Sequence, residues 1–150
     1  MRRARFVYPD GSVHYHRVRI GRSTVIEAGM GAFTTCFIPK GAYAVYRGRT
    51  RSYDSAVMHY SWNLYEHDPE TGEANDRVIG YIDAHEKGRT SNFTRYVNCG
   101  PRSNDNNVVH RQCFSQIRYV LLRDVQEGEE LFIDYGEEYR TISLGMTGEY

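Results

Sequence analysis

The 150-residue sequence lacks several features that would assign it to a common class of protein. It has no apolar run near the roughly 18–20 residues that cross a bilayer, so we expect no membrane segment. No basic and then apolar leader stands at its N-terminus, so we expect no secretory signal. Its cysteines, Cys36, Cys99 and Cys113, are odd in number and too widely spaced for a CxxC zinc pair. The sequence therefore predicts an intracellular protein with free thiols and no metal.

Proline is also scarce and helical periodicity is weak, whereas 14 glycines separate short β-branched and aromatic segments. This pattern predicts one compact, mostly β domain. The predicted strands are residues 5–8, 13–20, 41–46, 60–65, 78–83, 116–122 and 130–135. The turn signal at residues 9–12 makes the first two a hairpin. Residues 67–73 read as an exposed loop, and residues 51–59 and 90–97 as short helical turns.

The sequence has no net charge, with 19 basic and 19 acidic residues, which disfavours a generic nucleic-acid binder. The charge is uneven along the chain, however. Residues 1–22 contain six arginines and one acid, and residues 124–138 contain seven acids and no Lys or Arg. The acidic run is either a solvated surface or a lip that attracts a basic substrate.

Four separate stretches carry the chemical signals. Gly29 and Gly31 flank Met30, which is either a plain turn or a backbone able to approach a ligand closely. Asn98 ends an apolar segment, where it either turns the backbone or presents its amide to a polar ligand. An apolar strand runs into Asp134-Tyr135-Gly136. A tyrosine- and tryptophan-rich stretch spans residues 45–48 and 58–63. Each of these is, by itself, as consistent with packing as with a site.

In this order the four stretches resemble the SET domain of protein-lysine methyltransferases. Gly29-Met30-Gly31 resembles the GxG motif of that family, and Tyr46-Arg47-Gly48 resembles its Y-x-G motif. Residues 130–136 resemble its EL…DYG motif. The central blocks, residues 60–62, 81–83, 92–99 and 107–109, are most similar to the PR-type SET subfamily.

The resemblance implies a mostly β SET fold (β-clip) of short curved sheets with few short helices and a C-terminal pseudoknot. It implies a single domain over residues 1–150. The motif-bearing core would span about residues 23–139, with an N-terminal hairpin at 1–22 and a tail at 140–150. It also implies S-adenosyl-L-methionine as the cofactor, bound on the face opposite the entrance for the target lysine.

Site residues carried over from the resemblance fall into three groups. The cofactor would contact Gly29, Met30, Gly31, Tyr60, Arg95, Asn98 and Cys99. The substrate would contact Met58, His59, Tyr60, Ser61, Trp62, Asn63, Ile133 and Tyr139, with residues 58–63 pairing with the peptide by strand addition. The catalytic tyrosines would be Tyr135, at the methyl-transfer point, together with Tyr46 and Tyr119.

Tyrosines suit this chemistry because a lysine amine, with an ordinary pKa near ~10.4, must lose its proton before it attacks a sulfonium methyl. A dry aromatic channel disfavours the ammonium, and hydroxyls orient the amine. A tyrosine hydroxyl near the amine restricts the product to monomethyl-lysine in SET domains. Ile133 stands at that position and has no hydroxyl, so we expect progression to di- or trimethyl-lysine.

The sequence therefore predicts a protein-lysine N-methyltransferase that acts on a basic protein, a histone tail being the leading candidate. We expect no direct nucleic-acid contact and a nuclear, chromatin-associated or virus-encoded protein; a homodimer is compatible with the sequence. One alternative is a catalytically weak SET domain that serves as a protein-interaction module. The other is an unrelated β-rich nucleic-acid-binding domain that stacks bases on its tyrosines.

Overall fold

The structure is a computed structural model that describes residues 2–51, 61–84, 92–137 and 139–143. Strands dominate it, as predicted. They are β1 (Arg2–Val7), β2 (Val13–Arg22), β3 (Met30–Thr34), β4 (Tyr43–Val45), β5 (Arg49–Arg51), β6 (Ser61–His67), β7 (Ala74–Asp83), β8 (Asn98–Cys99), β9 (Val108–Cys113), β10 (Gln116–Leu121) and β11 (Phe132–Ile133). Short 3-10 helices at Phe93–Tyr96 and Ser103–Asp105 and a π-helical turn at Tyr139–Ser143 complete the described elements.

The N-terminal hairpin is confirmed and is longer than predicted. Strands β1 and β2 pair antiparallel from Arg2 opposite Val18 to Val7 opposite Val13. Gly11 takes φ +86° in the turn, a conformation that favours glycine. Along β1 the burial alternates, with Ala4 and Phe6 in the core and Arg3 and Arg5 exposed. One face of the hairpin therefore packs in the core, and the other faces solvent.

The hairpin is part of an eight-stranded sheet in the order β3-β2-β1-β4-β10-β9-β11-β8. The predicted strand at 116–122 is confirmed as β10, and the one at 41–46 shortens to β4. Strands β3 and β9 were not predicted. The paired glycines obscured β3, and the polar run from His110 to Gln112 obscured β9 because both faces of that strand carry polar side chains.

A second sheet of three strands has the order β5-β7-β6. The predicted strands at 60–65 and 78–83 correspond to β6 and β7, although residue 60 lies outside the described residues. The predicted loop after β6 is confirmed, with Asp68 Oδ1 accepting hydrogen bonds from the Glu70 and Thr71 N–H groups. The helical turn predicted at 51–59 falls almost wholly outside the described residues. The turn predicted at 90–97 is the 3-10 helix that Asn92 caps.

The C-terminal segment threads between two parts of the chain, as the pseudoknot prediction requires. Strand β11 pairs parallel with β8 on one side and with β9 on the other. Asn107, fully buried, fixes this segment: its amide Nδ2 donates to the Glu130 carbonyl, and its Oδ1 accepts from the Phe132 N–H. The predicted strand at 130–135 is observed as only two residues, because β11 pairs with β8 at two positions and with β9 at one.

The core lies between the inner face of the large sheet and the second sheet, and it is built largely from aliphatic and aromatic side chains. Its members include Phe6, Val18, Ile38, Ile82, Phe93, Val97, Ile117, Leu131 and Ile133. Gly48 allows the close approach of the backbone, because a Cβ there would lie 2.3 Å from the Asp83 carbonyl oxygen. Within the described residues, no helix has the length and apolar character that crossing a membrane requires.

Candidate active site

An aromatic cluster lies at the junction of the two sheets. Tyr46 and Tyr119 are both buried and stack with ring centroids 5.2 Å apart. The Trp62 indole on β6 meets Tyr119 edge-on, and its Nε1–H donates a 2.6 Å hydrogen bond to the Tyr119 hydroxyl oxygen. The Trp62–Tyr119 hydrogen bond thus joins the two sheets within the aromatic cluster.

Tyr135 joins this cluster from the threaded C-terminal segment. Its hydroxyl donates a 2.5 Å hydrogen bond to the Val97 carbonyl, and its ring lies edge-on to Trp62 at 6.4 Å. Tyr139, four residues further on, packs edge-on against Tyr135 at 4.8 Å. The three tyrosines predicted as catalytic are therefore brought together, and Tyr139 closes the cluster on one side.

Burial sets the protonation state of the central hydroxyl. The pKa of Tyr119 is raised well above its ordinary value, first because burial disfavours the phenolate and then because Tyr46 and Tyr135 lie nearby. The Trp62 N–H opposes this only in part. Tyr119 therefore stays a neutral hydroxyl at physiological pH, with a proton to donate and a lone pair beyond the one that Trp62 occupies.

The sequence analysis missed His110, which lies directly on this cluster. Its imidazole stacks on the Trp62 indole with centroids 3.9 Å apart. Burial lowers its pKa, Arg111 lowers it further, and Asp134 opposes the shift. The alternation of β9 was the available signal, because His110 and Gln112 share one face of that strand.

The cofactor candidates of the GxG motif lie beside the Val97–Asn98 step. The Asn98 side-chain Nδ2 donates a 2.8 Å hydrogen bond to the Met30 carbonyl. Gly29 takes φ +74° with open space where a Cβ would be, and Met30 is half exposed. Among the described residues nothing hydrogen-bonds to Asn98 Oδ1, so this oxygen is available to accept an N–H.

Gly31 differs from Gly29 in that a side chain there would meet another residue. A Cβ at Gly31 would lie 2.5 Å from the buried Glu130 carboxylate, so only glycine fits there. Glu130 accepts hydrogen bonds from the Ser23 hydroxyl and from the N–H and hydroxyl of Thr24. The carboxylate thereby ties the loop before the GxG motif to the C-terminal segment.

Three other predicted residues, Arg95, Cys99 and Ile133, are buried. Arg95 donates from Nε to the Ala84 carbonyl and stacks over Tyr96, which places most of it in the core. Cys99 on β8 pairs with Ile133 on β11. Their contacts with the cofactor and substrate stay predictions, and any such contact by Cys99 would use its backbone.

The predicted substrate strand is only partly within the described residues. Met58, His59 and Tyr60 lie outside them, whereas Ser61, Trp62 and Asn63 form the start of β6. Among the described strands, β6 has β7 as its neighbour in the sheet. Further along β6, the Gln112 side chain bonds the Tyr65 N–H and carbonyl like a neighbouring strand. The edge at Ser61–Asn63 precedes this block.

The acidic run at residues 124–138 is more structural than the sequence suggests. Glu130 is buried, Glu129 pairs with Arg123, and Asp134 pairs with Arg140. Asp124 accepts from the Lys40 N–H, which leaves Glu127 and Glu137 among the exposed acids of this run. Across the described ranges, no group of three or more His, Cys, Asp or Glu side chains is arranged to hold a metal ion.

A threaded strand between two parallel neighbours, with an aromatic cluster beside a GxG turn, defines a SET-type domain. The model of the PR domain of PR domain zinc finger protein 2 matches residues 18–144, so the chain belongs to the PR domain family of SET domains. That membership removes the alternative of an unrelated β-rich nucleic-acid-binding fold.

Solved structures and curated relatives agree with this assignment. The methyltransferase domain of human PR domain-containing protein 2 is similar with a TM-score of 0.62 and 26% identity, covering 82% of this chain and 80% of that one. Human histone-lysine N-methyltransferase PRDM7 is 32% identical over 81% of this chain and 24% of its own length. Histone-lysine N-methyltransferase set-17 of Caenorhabditis elegans is 28% identical over 81% of this chain and 41% of its own length. The chain thus spans well under half the length of these curated relatives.

Proposed function

We propose that this chain is a protein-lysine N-methyltransferase that uses S-adenosyl-L-methionine and acts on a basic protein segment, with a histone tail as the leading substrate. One observation carries the proposal: consecutive residues connect the two halves of the site. The Val97 carbonyl holds the Tyr135 hydroxyl, and the next side chain, Asn98, holds the GxG backbone at Met30. A methyl donor bound beside Met30 and a lysine amine held near Tyr135 would meet at the Val97–Asn98 peptide.

The residues of the GxG side fit the amino-acid end of the cofactor. The unengaged Asn98 Oδ1 suits an ammonium donor, and the open backbone at Gly29 suits close approach by a polar group. When bound, the cofactor supplies an electrophilic sulfonium methyl. The Glu130 carboxylate positions the loop that precedes Gly29 by accepting hydrogen bonds from Ser23 and Thr24.

The aromatic cluster suits a neutral lysine amine. Its apolar walls disfavour the ammonium form and so lower the pKa of an entering lysine. The Tyr135 proton is directed to the Val97 carbonyl, and a hydroxyl oxygen that donates in this way would act toward an amine N–H as an acceptor. Oxygens near the transferring methyl group add C–H···O contacts of about 0.5–1 kcal/mol each. Alignment by these oxygens, rather than a strong base, would carry the rate enhancement.

The edge of β6 supplies a place for the substrate backbone. A peptide that adds to Ser61–Asn63 would lie beside Trp62, whose indole borders the tyrosines. Curated relatives whose names specify histone-lysine methylation support a histone substrate and, with it, action at chromatin by a cellular or virus-encoded protein.

Calorimetry with S-adenosyl-L-methionine followed by mass spectrometry of core histones tests this function. We expect saturable cofactor binding by the wild-type chain and mass increments of one or more methyl groups on lysine. Asn98→Ala should weaken cofactor binding, whereas the exposed Asn104→Ala in the nearby 3-10 turn should leave it unchanged. Cofactor binding without methylation of any basic substrate would instead favour the interaction-module alternative. No cofactor binding at all would contradict the proposal.

A further inference from the structure

The outer face of the large sheet carries a charge pattern that methyl transfer does not use. Its six antiparallel strands, β1 to β4, β9 and β10, contain no Asp or Glu. They contain the arginines Arg2, Arg3, Arg5, Arg17, Arg19, Arg22, Arg111 and Arg118. The zero net charge of the chain therefore conceals a strongly basic sheet.

Strand register places most of these arginines on one face. Arg3 lies opposite Arg17, Arg5 lies opposite Tyr15, and Val7 continues this face to Tyr43 on β4. Across β10 and β9 the same face carries Arg118 opposite Arg111. We call the set Arg3, Arg5, Arg17, Arg19, Arg111 and Arg118, with Tyr15 and Tyr43 between them, the arginine face. Residues of the opposite register, such as Phe6 and Tyr119, point into the core.

The arginine face has no acidic partner within the described residues. No carboxylate in the described part of the chain lies within ion-pair distance of its guanidinium groups. Three of these groups lie over aromatic rings: Arg3 over Tyr15, Arg19 over Phe33 and Arg118 over Tyr43. Arg118 also donates from Nε to Gln116 Oε1, and Arg111 donates to the neighbouring His110 carbonyl, so their protein acceptors are neutral. Arg3 directly opposite Arg17 is a like-charge pair that destabilises a sheet. A shallow concavity opens between these two arginines beside Tyr15.

Half of this surface lies outside the family match, which begins at residue 18. Arg3, Arg5 and Arg17 stand on β1 and the first half of β2, before the matched residues. Arg19, Arg111 and Arg118 lie within the matched range. The face is also on the far side of the sheet from the aromatic cluster, because Arg118 and Tyr119 are consecutive residues of β10. A ligand on this face would leave the active site open.

We propose that the arginine face binds the phosphate backbone of a nucleic-acid duplex. Guanidinium groups match phosphate oxygens as bidentate donors, and stacked tyrosines hold them in place at little entropic cost. Strands β2 to β9 span about 19 Å along the sheet, wider than the ~12 Å major groove of B-DNA, so phosphates of both strands are within reach. An acidic peptide fits less well, because every strand that bears these arginines is paired on both edges and offers none for strand addition.

Fluorescence anisotropy with the 150-residue chain and a labelled mixed-sequence DNA duplex tests the proposal. The affinity should fall linearly on a log–log plot against salt. Changing Arg3→Gln together with Arg17→Gln should reduce the slope of that plot by about 2 and weaken binding at every salt concentration. The matched control, Arg77→Gln with Arg102→Gln, removes the same charge from exposed positions off the face and should leave the slope unchanged.

Each outcome decides the proposal without a methylation assay. If circular dichroism shows that the first double variant is unfolded, Arg5→Gln replaces it and should lower the slope by about 1. Absence of saturable duplex binding at low salt, or equal loss in both double variants, would overturn the proposal. So would a labelled poly-glutamate peptide that binds more tightly than the duplex at physiological salt with the same arginine dependence, since the partner would then be an acidic protein.

Discussion

The two faces of the large sheet differ in how their polar side chains are satisfied. On the inner face, the Tyr119 hydroxyl is buried and accepts from Trp62, and the Tyr135 hydroxyl donates to Val97. On the outer face, Arg118 and Arg3 lie over tyrosine rings, and neither they nor Arg17 has a carboxylate partner within the described residues. Buried polar groups must be satisfied by the protein, whereas exposed cations keep their hydration until a ligand arrives. Under the two proposals, the inner face would be preorganised for methyl transfer and the outer face would serve reversible binding.

Removing a preorganised hydroxyl from the inner face should have the largest effect. Tyr135→Phe should lower the rate of methyl transfer by about 10²–10³, by analogy with other positioned donors and acceptors. The ring contacts with Trp62 and Tyr139 remain, so the fold and cofactor affinity should change little. Single-turnover kinetics on a histone peptide, with calorimetry of cofactor binding on the same protein, measures both quantities.

Wild-type turnover by a folded Tyr135→Phe protein would contradict the assignment of Tyr135 to the methyl-transfer point. A loss of cofactor affinity that equals the loss of rate would instead indicate that the hydroxyl contacts the cofactor.

The next effect should come from the buried amide that holds the threaded strand. Asn107→Ala leaves the Phe132 N–H and the Glu130 carbonyl without their side-chain partner, which should lower the free energy of unfolding by about 2–4 kcal/mol. Asn104→Ala, three residues earlier and exposed, should stay within about 0.5 kcal/mol of wild type. Urea denaturation of the two variants makes the comparison, and equal stability of both would show that the threaded strand does not depend on Asn107.

Much of the fold follows from short-range signals that the sequence displays. Turn residues around Gly11 and Gly72 and the β-branched segment of β10 predict the hairpin, the loop after β6 and a strand of the main sheet. The motifs that resemble SET domains extend this to the threaded C-terminus. They also select Tyr135, Tyr119 and Tyr46, which the structure brings together.

What could not be predicted depends on pairing between distant segments. Glu130 appears in the sequence as part of an acidic surface, yet its partners Ser23 and Thr24 lie more than a hundred positions earlier. His110 and the arginine face become visible only when register is known, since strand composition alone does not tell which residues oppose each other. Net charge likewise averages over a distribution that only topology separates.

A smaller effect should appear in the products formed at the inner face. Tyr119→Phe removes the acceptor of the Trp62 N–H and an oxygen that would hold the amine. The resemblance predicts that Ile133 occupies the product-restricting position, so we expect the wild type to progress beyond one methyl group and the variant to shift further toward trimethyl-lysine. A mass-resolved time course with excess cofactor measures this. A wild-type plateau at monomethyl-lysine would show that Ile133 does not open the channel.

The smallest expected effect is a dependence of stability on mildly acidic pH, centred on His110. Burial lowers the pKa of His110, and Arg111 adds to this, while Asp134 opposes it. In the unfolded chain the histidine titrates near its ordinary pKa of about 6.5, so between that value and the lower folded pKa the unfolded state binds more protons. The free energy of unfolding contributed by neutral His110 is therefore fully present above about pH 6.5 and is lost as the pH falls through this window. His16, whose pKa burial also lowers, contributes in the same direction from the hairpin.

Thermal unfolding at neutral and mildly acidic pH tests this dependence. The acid-induced drop in melting temperature should be smaller in His110→Gln than in wild type. An identical drop in both proteins would mean that the stack on Trp62 tolerates the imidazolium, and that the acid sensitivity of the inner face lies elsewhere.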